Sequence, residues 1–225
     1  MKRKLAFLIC VVFVLGLLSS GSALAGRPDK DWKDWFGHFA IGYVAPDGDF
    51  GDFVDSTWML SGGATWWPGA VGLDLDLGWA DFDISNEAIR TINDAIEPPS
   101  TGTIDKGNVA IWSLTADAIW SPDTGKLGFY LAGGIGTYYL DAQVTTTGLV
   151  YYPPICGFYW CYPGWVGTGD FIAGSESSWE FGYNAAIGLN IEMAGGSQIY
   201  VEVKYHYIDT KTATTYIPIQ LGYRW

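Results

Sequence analysis

From residue 34 onward, large apolar residues recur at every second position in eight separate segments. The clearest is Val71–Ala80, where Val71, Leu73, Leu75, Leu77 and Trp79 alternate with Gly72, Asp74, Asp76, Gly78 and Ala80. A helix would scatter the two aspartates around its circumference, whereas a strand lines them up on one face. The last segment, Thr215–Trp225, sets Ile217, Ile219, Leu221, Tyr223 and Trp225 against Pro218, Gln220, Gly222 and Arg224. The same period predicts strands over Asp34–Ala45, Trp58–Trp67, Asn108–Trp120, Leu127–Leu140, Trp179–Glu192 and Ile199–Ile208.

The connections alternate in length. Trp67–Ala70, Ser121–Lys126 and Ala194–Gln198 read as short turns rich in Gly, Pro, Asp and Ser. Pro46–Thr57, Asp81–Gly107 and Ala142–Ser178 read as long loops, and Asp209–Thr214 as a modest fourth. The second loop is predicted to hold a short helix around Asn86–Ile96, stopped by Pro98-Pro99. Eight strands joined alternately at two ends describe an all-β, antiparallel up-and-down barrel. Its inside is only just wide enough for its own side chains. One face of each strand is crowded with Trp, Tyr, Leu and Ile, and the other is mostly Gly, Ala, Ser and Asn. The bulky face therefore points outward, which excludes a soluble ligand-holding barrel and predicts a lipid-facing surface. Trp35, Trp66, Trp120, Phe129, Tyr223 and Trp225 fall at the turn end, and Tyr43, Trp79, Tyr139, Trp179, Tyr205 and Tyr207 at the loop end. Two such rings suit the two interfaces of a membrane.

Met1–Ala25 reads as a cleavable export signal: Lys2, Arg3 and Lys4, an apolar core Leu5–Leu18, and Ala23-Leu24-Ala25 before the cut. The expected organisation is a signal over 1–25, a short periplasmic segment over 26–33, and a transmembrane barrel over 34–225 in the outer membrane of a Gram-negative cell. With the signal removed, 9 basic residues face 24 acidic ones, a balance of −15. So acidic a chain without basic clusters excludes a nucleic-acid partner. The 30 glycines with 12 Trp, 14 Tyr and 11 Phe suit a narrow barrel in lipid.

The segment KLGFYLAGGIGTYY (126–139) and the ending YIPIQLGYRW (216–225) resemble strands of the small OmpA/OmpX/OmpW-like outer membrane β-barrel domain proteins. The resemblance implies recognition of Tyr223 and Trp225 by the barrel-assembly machinery. A terminal Phe is more usual there than Trp225. It also brings in lipid A-modifying enzymes built on small barrels, which pair a histidine with a nearby serine.

The inward charges Asp74, Asp76, Asp117, Glu202, Lys204 and Arg224, with Gln220, fall in the turn-side half of the barrel. Buried charges must pair or neutralise. One reading is a salt-bridged plug. The other is a gated path in which four carboxylates against two cations favour cations. His38 and His206 are both predicted inward. No serine lies beside His206, so no catalytic residue, metal ligand or cofactor is assigned. In the third loop Cys156 and Cys161 form a C-x4-C pair, which in an oxidising compartment is expected to be a disulfide. The aromatic and proline-rich stretch around it is either a contact surface for a partner or a cap on the barrel mouth. The acids Asp47, Asp49, Asp52 and Asp55 of the first loop lack the spacing of a calcium loop and read as solvated, or as bridging divalent ions to lipopolysaccharide phosphates. The functional expectation is a monomeric, non-enzymatic barrel that stabilises the membrane and presents residues 142–178. The competing readings are a narrow cation-preferring channel or small-solute transporter, and a lipid A-modifying enzyme.

Overall fold

The computed structural model describes residues 35–68, 70–95, 104–122, 127–152, 155–156, 161–162, 165–193 and 196–225, with side chains for all of these except 95, 147–171 and 173. The expected export signal over 1–25, the expected 26–33 segment and Asp34, where the expected barrel begins, lie outside the described residues. Eight strands close a barrel: β1 (Trp35–Asp47), β2 (Thr57–Trp66), β3 (Val71–Asp83), β4 (Lys106–Trp120), β5 (Leu127–Tyr152), then, after the two-residue β6 (Ile155–Cys156) and β7 (Cys161–Tyr162), β8 (Trp165–Glu192), β9 (Gln198–Ile208) and β10 (Thr214–Arg224). Every neighbouring pair is antiparallel, and β10 returns to β1, with His38 opposite Arg224. Beyond the last assigned pair, Gly37 and Trp225 exchange both backbone hydrogen bonds, at 3.0 and 2.9 Å. Pro218 lacks an N–H, and the β10–β9 ladder is interrupted at Ile217–Pro218 before resuming in the same register.

The alternation orients the side chains as the pattern requires. Val71, Leu73 and Leu75 are more than half exposed on the outside, while Gly72, Asp76 and Gly78 are buried within. The outer aromatics meet as register partners. Trp35 opposes Trp66 at the turn rim, and Tyr43–Trp58, Trp79–Trp112, Tyr139–Trp179 and Tyr183–Tyr207 pair at the loop rim, with ring centroids 4.7–6.5 Å apart. Such directly opposed aromatic pairs are among the stronger cross-strand contacts.

The lumen departs from the expected lining of small residues. Its loop-side half is an apolar layer containing Val44, Met59, Phe82, Ile111, Tyr138, Ile208 and Tyr216. The first and second loops fold down onto it. A short helix not foreseen from sequence, α1 (Gly48–Phe53), drops Phe50 onto Phe82 at 5.2 Å. The second helix, α2 (Asn86–Ala95), lies where expected and adds Ala88. A bridge between Val54 and Ile84 ties the two loops together. Large rings fit elsewhere because glycine stands opposite them: a Cβ on Gly188 would lie 2.2 Å from Tyr130, and one on Gly222 the same distance from Tyr200.

The third connection also differs from expectation. Residues 142–178 are largely strand, because β5 and β8 remain paired from Leu127↔Ile191 to Tyr152↔Trp165. The last rung shared with β4 is Lys106↔Thr145. At that level the β5–β8 register shifts by one residue on the β8 side, from Val144↔Gly174 to Thr145↔Ile172. A bulge of this kind bends and twists a ladder. Beyond it the two strands continue paired with each other, and described residues of the first two loops pack over the apolar layer at the mouth of the barrel.

Candidate functional site

The turn-side half of the lumen holds the charges. Register puts Arg224, His38, Gly63, Asp76 and Thr115 in one lateral row across β10, β1, β2, β3 and β4. The adjacent row runs Thr65, Asp74, Asp117, Gly134, Asn184 and His206. Asp74 and Asp117 thus face each other directly, an arrangement that repels unless cations intervene. Lys204 reaches Asp117 at 3.0 Å and Glu202 at 3.6 Å. Asn184 donates to the other Asp117 oxygen at 2.7 Å, and the Tyr130 hydroxyl donates to Glu202 at 2.9 Å.

His38 joins the first strand to the third. Gly63, between them on β2, carries no side chain, so the imidazole spans to Asp76 with Nε2 2.9 Å from Oδ1. Its Nδ1 lies 3.5 Å from Asp74 and 3.3 Å from the Thr65 hydroxyl, which itself donates to Asp74 at 2.5 Å. Among the described residues, Asp74 and Asp76 have no ion-pair partner but this one ring. The alternation of the sequence places all three inward, while their meeting depends on the β1–β2–β3 register. The signal was there in parity: all three occupy inward positions of strands that neighbour in a meander.

Arg224 departs from the expected salt-bridged plug. It makes no ion pair with any described residue. Its guanidinium sits over Tyr200, Trp67 and Tyr130, with ring centroids 4.7, 5.2 and 5.6 Å away, and donates to the Gln198 amide oxygen at 3.3 Å. Cation–π contacts of this kind strengthen when water is excluded, and Arg224 is only 2% exposed. A cavity of about 10 Å³, room for roughly one water-sized body, lies between these groups and is lined by His38, Asp74, Asp76, Asp117, Lys204 and Arg224, among others. Tyr223 points outward and stacks on Trp225 at 5.9 Å. Cys156 and Cys161 are register partners in the small β6–β7 pair, while their side chains lie outside the described residues. The first-loop acids do not assemble into a ligand set among the described residues.

No family model matches the chain, and no curated protein matches it. Solved structures do. The neisserial surface protein A, NspA, is similar at 13% identity and a TM-score of 0.53, over 85% of this chain and 96% of that one. The chain shares the closed eight-stranded antiparallel barrel fold of that protein. More distant similarities include Ail, the attachment invasion locus protein of Yersinia pestis, solved with a heparin analogue (14% identity, 85% and 99% covered, TM-score 0.45), and the outer membrane enzyme PagL (12%, 84% and 97%, 0.41). Likeness of this degree describes architecture and leaves activity to the residues. In this barrel both histidines are buried in the lumen, His38 at 2% and His206 at 1% exposure. Neither lies on the outer face of the barrel.

Proposed function

We propose that this barrel is a non-enzymatic, monomeric outer-membrane protein that reinforces the membrane and carries a contact surface on its third connection. The observation that carries the reading is the β5–β8 ribbon, which continues as paired strand from Thr145↔Ile172 to Tyr152↔Trp165, beyond the last rung that β5 shares with β4. The sequence joining the two strands of the ribbon, YYPPICGFYWCYPGW, is rich in aromatic residues, which supply contact area at low entropy cost. A Cys156–Cys161 disulfide would staple that stretch; opposed positions of an antiparallel pair suit such a link. Export through the 1–25 signal and assembly through Tyr223 and Trp225 belong to the same reading, as does lipopolysaccharide as its lipid neighbour. The burial of both histidines speaks against a lipid-modifying enzyme, since a lipid ester approaches from outside.

The test is complementation of a strain lacking the protein. A variant with residues 146–171 replaced by a short turn is expected to restore detergent resistance as the full chain does, and to fail to restore surface adherence. Equal adherence with and without the ribbon would sink the contact-surface reading. The channel reading has one observation in its favour, the excess of carboxylates over cations around the cavity. The apolar layer above it argues the other way.

A further inference from the structure

The lumen contains an acid–base imbalance that its own residues do not resolve. Lys204 serves Asp117 and Glu202. Arg224 is held against three rings. Asp74 and Asp76 are left with His38, which carries at most one positive charge against their two negative ones. His38 and Asp76 are buried and Asp74 nearly so, with side-chain exposures of 3%, 7% and 9%. An uncompensated charge in such surroundings is costly.

We infer that His38, Asp74 and Asp76 form a binding site for one divalent transition-metal ion of the zinc class. Each residue offers one ligand atom, and the three atoms lie within 4.8 Å of one another. Bonds of about 2.0–2.2 Å to a tetrahedral ion place its ligands roughly 3.5 Å apart, so small side-chain rotations close the set. One imidazole nitrogen with two carboxylate oxygens suits zinc and its neighbours better than magnesium or calcium, which take oxygen alone. The divalent charge balances Asp74 and Asp76 with the ring neutral.

Two further features fit this role. A ligating imidazole usually gives its other ring N–H to an oxygen, which fixes the ring. With Nε2 on the ion, Nδ1 has the Thr65 hydroxyl at 3.3 Å, and that hydroxyl in turn holds Asp74. The cavity beside the three residues has the size of one water, which completes the coordination. Arg224 lines the same cavity, and its buried Nε–H has no acceptor among the described residues. A metal-bound water supplies one.

The experiment uses the full-length protein purified from outer membranes in detergent, stripped with chelator while unfolded and refolded with equimolar ZnCl2. Metal retained after gel filtration is counted per chain. The expected result is one zinc on the wild type and on His206→Ala, not displaced by excess Mg2+, and none on His38→Ala or on the Asp74→Asn/Asp76→Asn pair. A wild type without zinc, or equal zinc on every variant, overturns the site. Should the variants not refold, wild type refolded with CoCl2 decides: visible absorption of an ion bound through nitrogen and oxygen supports the site, and a spectrum like that of free Co2+ overturns it.

Discussion

Lys204 shows at single-residue scale how tightly the lumen constrains its contents. Its ammonium is 3% exposed and stands between Asp117 and Glu202, so its removal leaves two carboxylates in a closed space. Breaking a buried ion pair from one side costs about 3–5 kcal/mol. Lys204→Met is expected to lower stability by that order in urea unfolding from lipid vesicles, and Asp117→Asn in the same chain is expected to restore part of it. A loss below about 1 kcal/mol would show that the pair is not closed off from water. Gly222 is constrained by volume. A Cβ there meets Tyr200 at 2.2 Å, and overpacking of this kind costs about 1–3 kcal/mol. Gly222→Ala is therefore expected to destabilise, and Tyr200→Leu to relieve it. Additive effects of the two substitutions would refute the contact as the cause. The inward positions of Lys204, Arg224 and the four acids were legible, because in a strand parity assigns the face. What Arg224 touches was not. Its ring partners Trp67, Tyr130 and Tyr200 come from three distant parts of the chain, and only the closed register brings them over the guanidinium.

At the scale of elements, legibility followed the solvent. Where a segment has lipid on one side and a packed lumen on the other, period two is imposed on it, and all eight barrel strands were readable. The upper parts of β5 and β8 run beyond the last rung shared with β4, QVTTTGLVYY and WVGTGDFIAG show no sustained alternation, and a paired ribbon reads as loop. The six-residue α1 was hidden for a related reason. GDFGDF has two glycines, two aspartates and too few turns for a helical period to register, and tertiary contact of Phe50 with Phe82 holds it in place. By contrast α2 carried its own stop signal in Pro98-Pro99. Because the ribbon hangs from the barrel above the bulge, it adds little to the barrel's support. Replacing 146–171 by a short turn, which keeps every rung from Val144↔Gly174 downward, is expected to change the urea unfolding free energy by less than about 1 kcal/mol. A variant that no longer folds would mean that the ribbon nucleates the β5–β8 pairing.

Taken as a whole, the molecule blocks its lumen twice in series. On the turn side the charge layer fills the cross-section and Arg224 sits among Trp67, Tyr130 and Tyr200. On the loop side Met59, Phe82, Ile111, Tyr138 and Tyr216 form a layer free of formal charge, with Phe50 of α1 packed over it. Ions crossing the second layer would lose their hydration with no charged group to replace it, and a hydrophobic constriction of this kind excludes water as well. Two barriers in series respond differently from one. Arg224→Ala opens only the lower barrier, and Phe82→Ala only thins the upper one, so neither alone connects the two sides. The double variant Arg224→Ala/Phe82→Ala is expected to show discrete steps in a planar bilayer where the wild type and both single variants are silent. The excess of carboxylates over cations that lines the cavity makes those steps cation-selective, by a shift of reversal potential in a KCl gradient. Conductance through Arg224→Ala alone would mean that the apolar layer is no barrier, and would return the transport reading to first place.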